Sequence, residues 1–173
     1  MRKSFFTIIT IILFTVVILI YIKASPISII KNYQFDSTSK LIGCGISIFY
    51  FQKISKNSQH ELIIKINKID SLPIKKEFVL NQYSKFINVY YNEYPEENRY
   101  INEICNDMRD LNKKPLPPNK YYLKTGKILI EWDKSKMTIS IQIKNILFED
   151  HSKNQVHLGL ENFKNINVGW SAG

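Results

Sequence analysis

The chain predicts an all-β domain, an antiparallel sandwich or barrel-like sheet of about eight strands with one short helix, preceded by an N-terminal transmembrane helix. Three observations carry this. From Leu41 onward the apolar residues recur mostly every second position. A single stretch, Glu96 to Asn112, switches to helical spacing. Finally, Phe5 to Ile22 is an eighteen-residue uncharged run.

The N-terminal run reads FFTIITIILFTVVILIYI, with three threonines as its clearly polar members. As a helix it spans roughly 27 Å, close to the thickness of a bilayer's hydrocarbon core. It also lacks the polar stripe of a soluble core helix. Cleavage after Ala24 would put bulky Ile22 at the −3 position, and cleavage after Ser25 would put Lys23 there, both poor sites. Residues 1–23 are therefore expected to stay as a signal-anchor in the cytoplasmic membrane, with a cleaved, secreted protein as the alternative. Arg2 and Lys3 favour a cytoplasmic N-terminus and a body outside the cytoplasm.

Residues 24–40 are expected to be a polar linker, opened by Pro26 and without a sustained period. Leu41-Ile42-Gly43-Cys44 resembles the lipobox of bacterial lipoproteins. Its position argues against that reading, because charged Lys31, Asp36 and Lys40 separate it from the apolar run.

Residues 41–173 form the expected extracytoplasmic domain, about 150 residues counted from the anchor, enough for one core. Cys44, Ile46, Ile48 and Tyr50 alternate with partners that are also partly apolar, as in a central strand. Lys56-Asn57-Ser58 is a turn, and His60 to Ile69 places Leu62, Ile64 and Ile66 on one face. Strands are predicted over Lys76 to Leu80 and Lys85 to Tyr91. Pro95-Glu96-Glu97 suits a helix start, the stripe Ile101, Ile104, Cys105, Met108 and Leu111 follows, and Pro115 ends it.

The last third holds a hairpin, with Ile128, Ile130 and Trp132 answered by Met137, Ile139, Ile141 and Ile143 across Asp133 to Lys136. Val156, Leu158 and Leu160 make a further strand, and Ile166, Val168 and Trp170 the last one. Alternation alone nominates Ile46, Ile48, Leu62, Ile64, Ile66, Ile130, Ile139, Ile141, Val156 and Leu158 as core. In general terms the pattern resembles membrane-anchored or secreted bacterial β-sandwich domains, with no motif specific to one family.

Net charge is +9, of which Arg2, Lys3 and Lys23 supply three, leaving +6 on the body. Lysine outnumbers arginine 21 to 3 and the lysines are scattered, which reads as AT-rich codon usage and not as a phosphate-binding surface. Nucleic acid is thus not an expected partner; the lipid bilayer, and an envelope protein or glycan, are.

No catalytic residue, cofactor-binding residue or metal ligand is predicted. The chain has no G-x-S-x-G elbow, H-E-x-x-H or paired C-x-x-C. Asp150, His151 and His157 span one hairpin loop, which reads as loop polarity and an outward strand histidine. Glu96, Glu103, Asp107 and Asp110 share a helix face where Arg99 and Lys114 offer ordinary i,i+4 pairs.

The two cysteines, Cys44 and Cys105, follow the membrane segment and are expected to form a disulfide. Tyr90, Tyr91, Tyr94, Tyr100, Tyr121 and Tyr122 are the candidate binding-face aromatics, with packing within the sheet as the alternative. The expected role is binding or structural in the bacterial cell envelope. The competing reading is a hydrolase whose site forms only in three dimensions, from Glu103, Asp107, His151 or His157.

Overall fold

A computed structural model describes residues 11–17, 29–67, 74–81, 84–95, 101, 103–105 and 117–168. Ten strands follow one another: β1 (Ile30–Tyr33), β2 (Lys40–Cys44), β3 (Ile48–Ile54), β4 (His60–Asn67) and β5 (Lys75–Asn81), then β6 (Ile87–Glu93), β7 (Asn119–Asp133), β8 (Thr138–Glu149), β9 (Gln155–Leu158) and β10 (Glu161–Asn167). They belong to one sheet, not to two separate ones, in the order β1-β9-β8-β7-β6-β4-β3-β2. β10 joins beside β8 and β5 beside β7. All pairs are antiparallel except β1 with β9.

The two longest strands organise the rest. β7 pairs with β6 through its first residues and with β5 through its second half. β8 likewise turns from β10 to β9 near Asn145, which sits at φ 49°. Register shifts flank Thr125 opposite this point, as expected of bulges that bend a sheet. Gly126 lets Ile146 close over the bend, since an added Cβ would lie 3.0 Å from the Ile146 Cα.

The sheet thus curls into a half-barrel whose concave side is the core. Phe49 of β3 meets Trp132 of β7 at 5.3 Å between ring centroids, and Tyr91 of β6 meets Phe148 of β8 at 5.7 Å. Leu62, Ile64, Ile66, Ile130, Ile139, Ile141, Val156 and Leu158 are all buried there, as alternation predicts. Burial of each such side chain contributes about 1.5–3 kcal/mol before the entropy cost of ordering it.

Ile46 and Ile48 depart from the expectation. Ile46 is 60% exposed and Ile48 36%. The run read as one strand is two, because Gly45 adopts φ 125° and turns the chain back on itself after Cys44. Cys44 pairs with Tyr50 and Gly43 with Phe51, so the alternation keeps its parity through the turn, and it is the opposite set, Phe49 and Phe51, that points inward while Ile48 does not. Leu160 is likewise exposed, since β9 ends at Leu158 and Gly159-Leu160 only connects it to β10. The last strand ends at Asn167, and Trp170 lies outside the described residues.

The stretch read as linker also contributes to the fold. Within it β1 forms beside β9, and Phe35 is buried in the core. Its backbone N–H donates to Glu161 Oε1 at 2.9 Å. Glu161 of β10 also receives Lys53 Nζ of β3 at 2.7 Å, with side-chain exposures of 3% and 12%. The Lys53 ammonium lies 5.4 Å from the Phe35 ring centre and 5.7 Å from that of Phe163. This enclosed pair ties the two approaching edges together, where Ile166 of β10 also packs against Gly43 of β2.

Most of the expected helix from Glu96 to Asn112 lies outside the described residues. Of its central stripe, Ile104 and Cys105 form a turn. That turn is fastened to the side of the sheet away from the core. Cys44 and Cys105 are at bonding distance with Cα atoms 5.8 Å apart, which fits the expected disulfide. Lys40 pairs with Glu103, and the Ile104 N–H donates to Gln52 Oε1 at 3.0 Å.

Beneath it Glu61 is buried, and among the described residues the partners of its carboxylate are neutral: Gln52, Asn92 Nδ2 at 2.6 Å and Tyr94 O–H at 2.9 Å. Burial, then the Glu61 carboxylate beside it, pushes the Tyr94 hydroxyl pKa up.

Of the expected membrane anchor, residues 11–17 are described and are helical with exposed side chains. The remainder of Phe5 to Ile22 lies outside the described residues. Among the described residues no helix is long and apolar enough to cross a membrane.

Candidate functional site: an aromatic row and a histidine cleft

Of the six tyrosines nominated from sequence, the five described ones divide into a buried and an exposed set. Tyr91, Tyr94 and Tyr121 are buried, so they are packing residues and not part of an exposed surface. Tyr100 lies outside the described residues. Tyr90 and Tyr122 are exposed, at 39% and 42%, and stand opposite one another in the β6–β7 register.

Tyr122 in turn meets His151 of the β8–β9 turn, ring centroids 5.2 Å apart and planes at 52°. The three rings make a row across β6, β7 and that turn. The turn is held by Asp150, whose carboxylate accepts from Asn154 N at 2.8 Å and Asn154 Nδ2 at 2.9 Å. Beside it Glu149 accepts from Lys124, Gln155 and Lys153. Those hydrogen bonds, Lys124 first, pull its pKa down to about 2.

The other groups nominated from sequence do not converge. Glu103 is taken by Lys40, His151 lies tilted against Tyr122, and His157 stands on β9 in register with Asn32 and Leu147. Asp107 is outside the described residues. Among the described residues no three His, Cys, Asp or Glu side chains gather in a way that would hold a metal ion.

A different cluster forms at the rim of the half-barrel, where β1, β4, β6 and β7 meet. The His60 ring lies against Tyr33, 4.0 Å between centroids, and its Nδ1 is 2.7 Å from the Tyr91 hydroxyl. Beside it Glu93 accepts from Lys31 at 2.9 Å and from the Tyr121 hydroxyl at 2.9 Å. His60 separates two open clefts. One, of 460 Å³, is bounded by Tyr33, Asp36, Ser55, Lys56 and Asn57. The other, of 270 Å³, runs past Lys31, Gln59, Glu93 and Asn119.

The electrostatics follow from burial and charge. Desolvation lowers the His60 pKa; Glu93 opposes this and Lys31 adds to it. Burial, then the Glu93 charge, raises that of Tyr91, whose hydroxyl keeps its proton. Burial disfavours the Glu93 carboxylate, but hydrogen bonds from Lys31 and Tyr121 outweigh it and hold its pKa below the usual range. Burial and the bond to Glu93 raise that of Tyr121. With the Tyr91 hydroxyl as donor in its 2.7 Å bond to His60 Nδ1, the neutral ring carries its proton on Nε2.

Acid should loosen this rim. The folded His60 pKa is below its ordinary 6.5, so the stability from its neutral ring is full above 6.5 and is lost as pH falls through the folded value. Glu93 has the same sign: its contribution is present above 4.5 and is lost as pH falls through its depressed value. His60→Gln should therefore flatten the decline that begins near pH 6.5, leaving the carboxylate part below 4.5. Denaturation midpoints followed against pH check this. An unchanged slope between about pH 7 and pH 5 would contradict the assignment of that titration to His60.

Sequence reading missed this cluster because it joins residues of four strands, none of them in a local motif. The only local signal was His60 on the same alternating face as Leu62 and Ile64, an inward position for a polar ring. The chain matches no family model, no curated protein and no solved structure.

Proposed function

We propose that this protein is a membrane-tethered binding domain of a bacterial cell envelope, and that it holds a glycan strand on the row formed by Tyr90, Tyr122 and His151. The row carries the reading. Two tyrosines and a histidine stand exposed side by side, and aromatic faces offer rigid area for the C–H faces of sugar rings while their polar ends hydrogen-bond hydroxyls.

The tether is supported by the length and apolarity of Phe5 to Ile22, and the outward side by Arg2 and Lys3 before it. The Cys44–Cys105 pair at bonding distance supports an oxidising compartment. In this reading the half-barrel is an incompletely closed, mostly antiparallel barrel that serves as scaffold for the row.

A binding role also agrees with the rim cluster, where Lys31, Glu93 and Tyr121 satisfy one another and Tyr91 satisfies His60 Nδ1. Such mutual bonding orders the scaffold.

The test uses the full chain in detergent micelles and its retention on purified cell-wall glycan. Tyr90→Ala with Tyr122→Ala should weaken retention by about tenfold or more, in line with loss of aromatic anchors. Far-UV spectra and melting should be unchanged, because both rings are on the outer surface. Undiminished retention by the double variant, or retention of a protein partner with none of glycan, would overturn the glycan reading.

A further inference from the structure

We propose that the cleft between His60 and Asp36 is a second ligand site, for a single neutral sugar ring or a polyhydroxylated molecule of similar size. It is separate from the aromatic row and does not rest on it.

The cleft is open and measures 460 Å³, inside the range of about 300–1,000 Å³ typical of small-molecule sites. Its walls are already fixed by internal bonds. Tyr33 holds the His60 ring from one side and is itself met edge-on by Phe35 at 5.0 Å. The Ser55 hydroxyl donates to Asn57 Oδ1 at 2.8 Å and accepts from the His60 backbone N–H at 2.9 Å.

Three polar groups are left over. Tyr91 occupies His60 Nδ1, and among the described residues nothing bonds Nε2, which is an N–H donor in the tautomer where the Tyr91 hydroxyl donates. Asp36 Oδ1 takes Thr38 N at 2.9 Å, Thr38 Oγ1 at 2.8 Å and Ser39 Oγ at 3.2 Å, and no described residue bonds its Oδ2. Lys56 also lines the cleft and has no ion-pair partner among the described residues.

Two donors and one acceptor around one space fit adjacent hydroxyls. Each hydroxyl oxygen can accept, from His60 Nε2–H or from Lys56, while a hydroxyl proton is given to Asp36 Oδ2. The formal charges of Asp36 and Lys56 cancel, so the walls favour neither a strong anion nor a strong cation. That selects a neutral polyol over a phosphate or an amine.

The test is a titration of the labelled full chain in micelles with glucose and with N-acetylglucosamine, reading the His60 imidazole nitrogen signals. A saturable shift of the Nε2 signal is expected with at least one sugar. Asp36→Asn keeps the Oδ1 acceptor that its turn needs but replaces Oδ2 with a donor, so it should weaken the midpoint by about tenfold. Lys56→Ala should weaken it less, and Tyr122→Ala should leave it unchanged. Absence of a saturable His60 shift with either sugar would overturn the proposal. So would saturation by Asp36→Asn at the same concentration while its melting curve matches the parent, or saturation by inorganic phosphate in preference to both sugars.

Discussion

Lys53→Met is expected to destabilise the domain by about 3–5 kcal/mol, the typical cost of removing one partner from a buried ion pair. The Glu161 carboxylate would remain enclosed between β3, β10 and Phe35, with only the Phe35 N–H among the described residues still donating to it. The length of Met replaces most of the Lys53 stem against Phe35 and Phe163, so the loss reports the charge and not a cavity. Adding Glu161→Gln should recover much of the loss, since a neutral amide no longer needs a cation. Denaturant unfolding of the full chain in micelles measures both. A single variant within about 0.5 kcal/mol of the parent, the usual surface value, would show that water reaches the pair and that it does not tie the edges.

Ile141→Asp should abolish cooperative unfolding altogether. Ile141 is buried on β8, in register with Ile130 of β7 on one side and Phe163 of β10 on the other. A carboxylate there has no partner, and its desolvation adds to the lost packing. Ile46→Asp is the matched control: it lies in the exposed turn after Gly45 and should change stability by less than about 0.5 kcal/mol. Near-UV circular dichroism and thermal melts distinguish the two. A native-like melt for the Ile141 variant would mean that the inward face of β8 has been assigned the wrong way round.

The contrast between those two isoleucines shows what alternation can and cannot reveal. Period two identifies β7 and β8 well, because each keeps its alternation over long stretches with one face buried. It fails across Cys44 to Phe51, because a run apolar on both sides does not say which set faces inward, and there Phe49 and Phe51 do and Ile46 and Ile48 do not. Alternation also treats polar residues as outward. It therefore could not show that Lys53 and Glu161 face inward as a pair, or that Gln52 and Glu61 are covered on the other side by the turn carrying Ile104 and Cys105.

The split of the tyrosines between buried and exposed is legible in the sequence. Tyr90 and Tyr91 are consecutive in a strand, as are Tyr121 and Tyr122, so each pair must split between faces. One of each pair packs inward and one remains for the row. Which member does so follows from the register with Leu62 and Phe148, which is long-range information. The His60 cluster was less legible still, since Tyr33 comes from a stretch read as linker.

The proposed function requires a disulfide-fastened β domain outside the cytoplasm. Only two cysteines are present, so counting thiols tests this directly. Protein taken from its native compartment under acid quench, unfolded and alkylated without reductant, should gain no alkyl group, and after reduction it should gain two. Two alkyl groups before reduction would contradict both the Cys44–Cys105 bond in the native protein and the side of the membrane assigned to the domain.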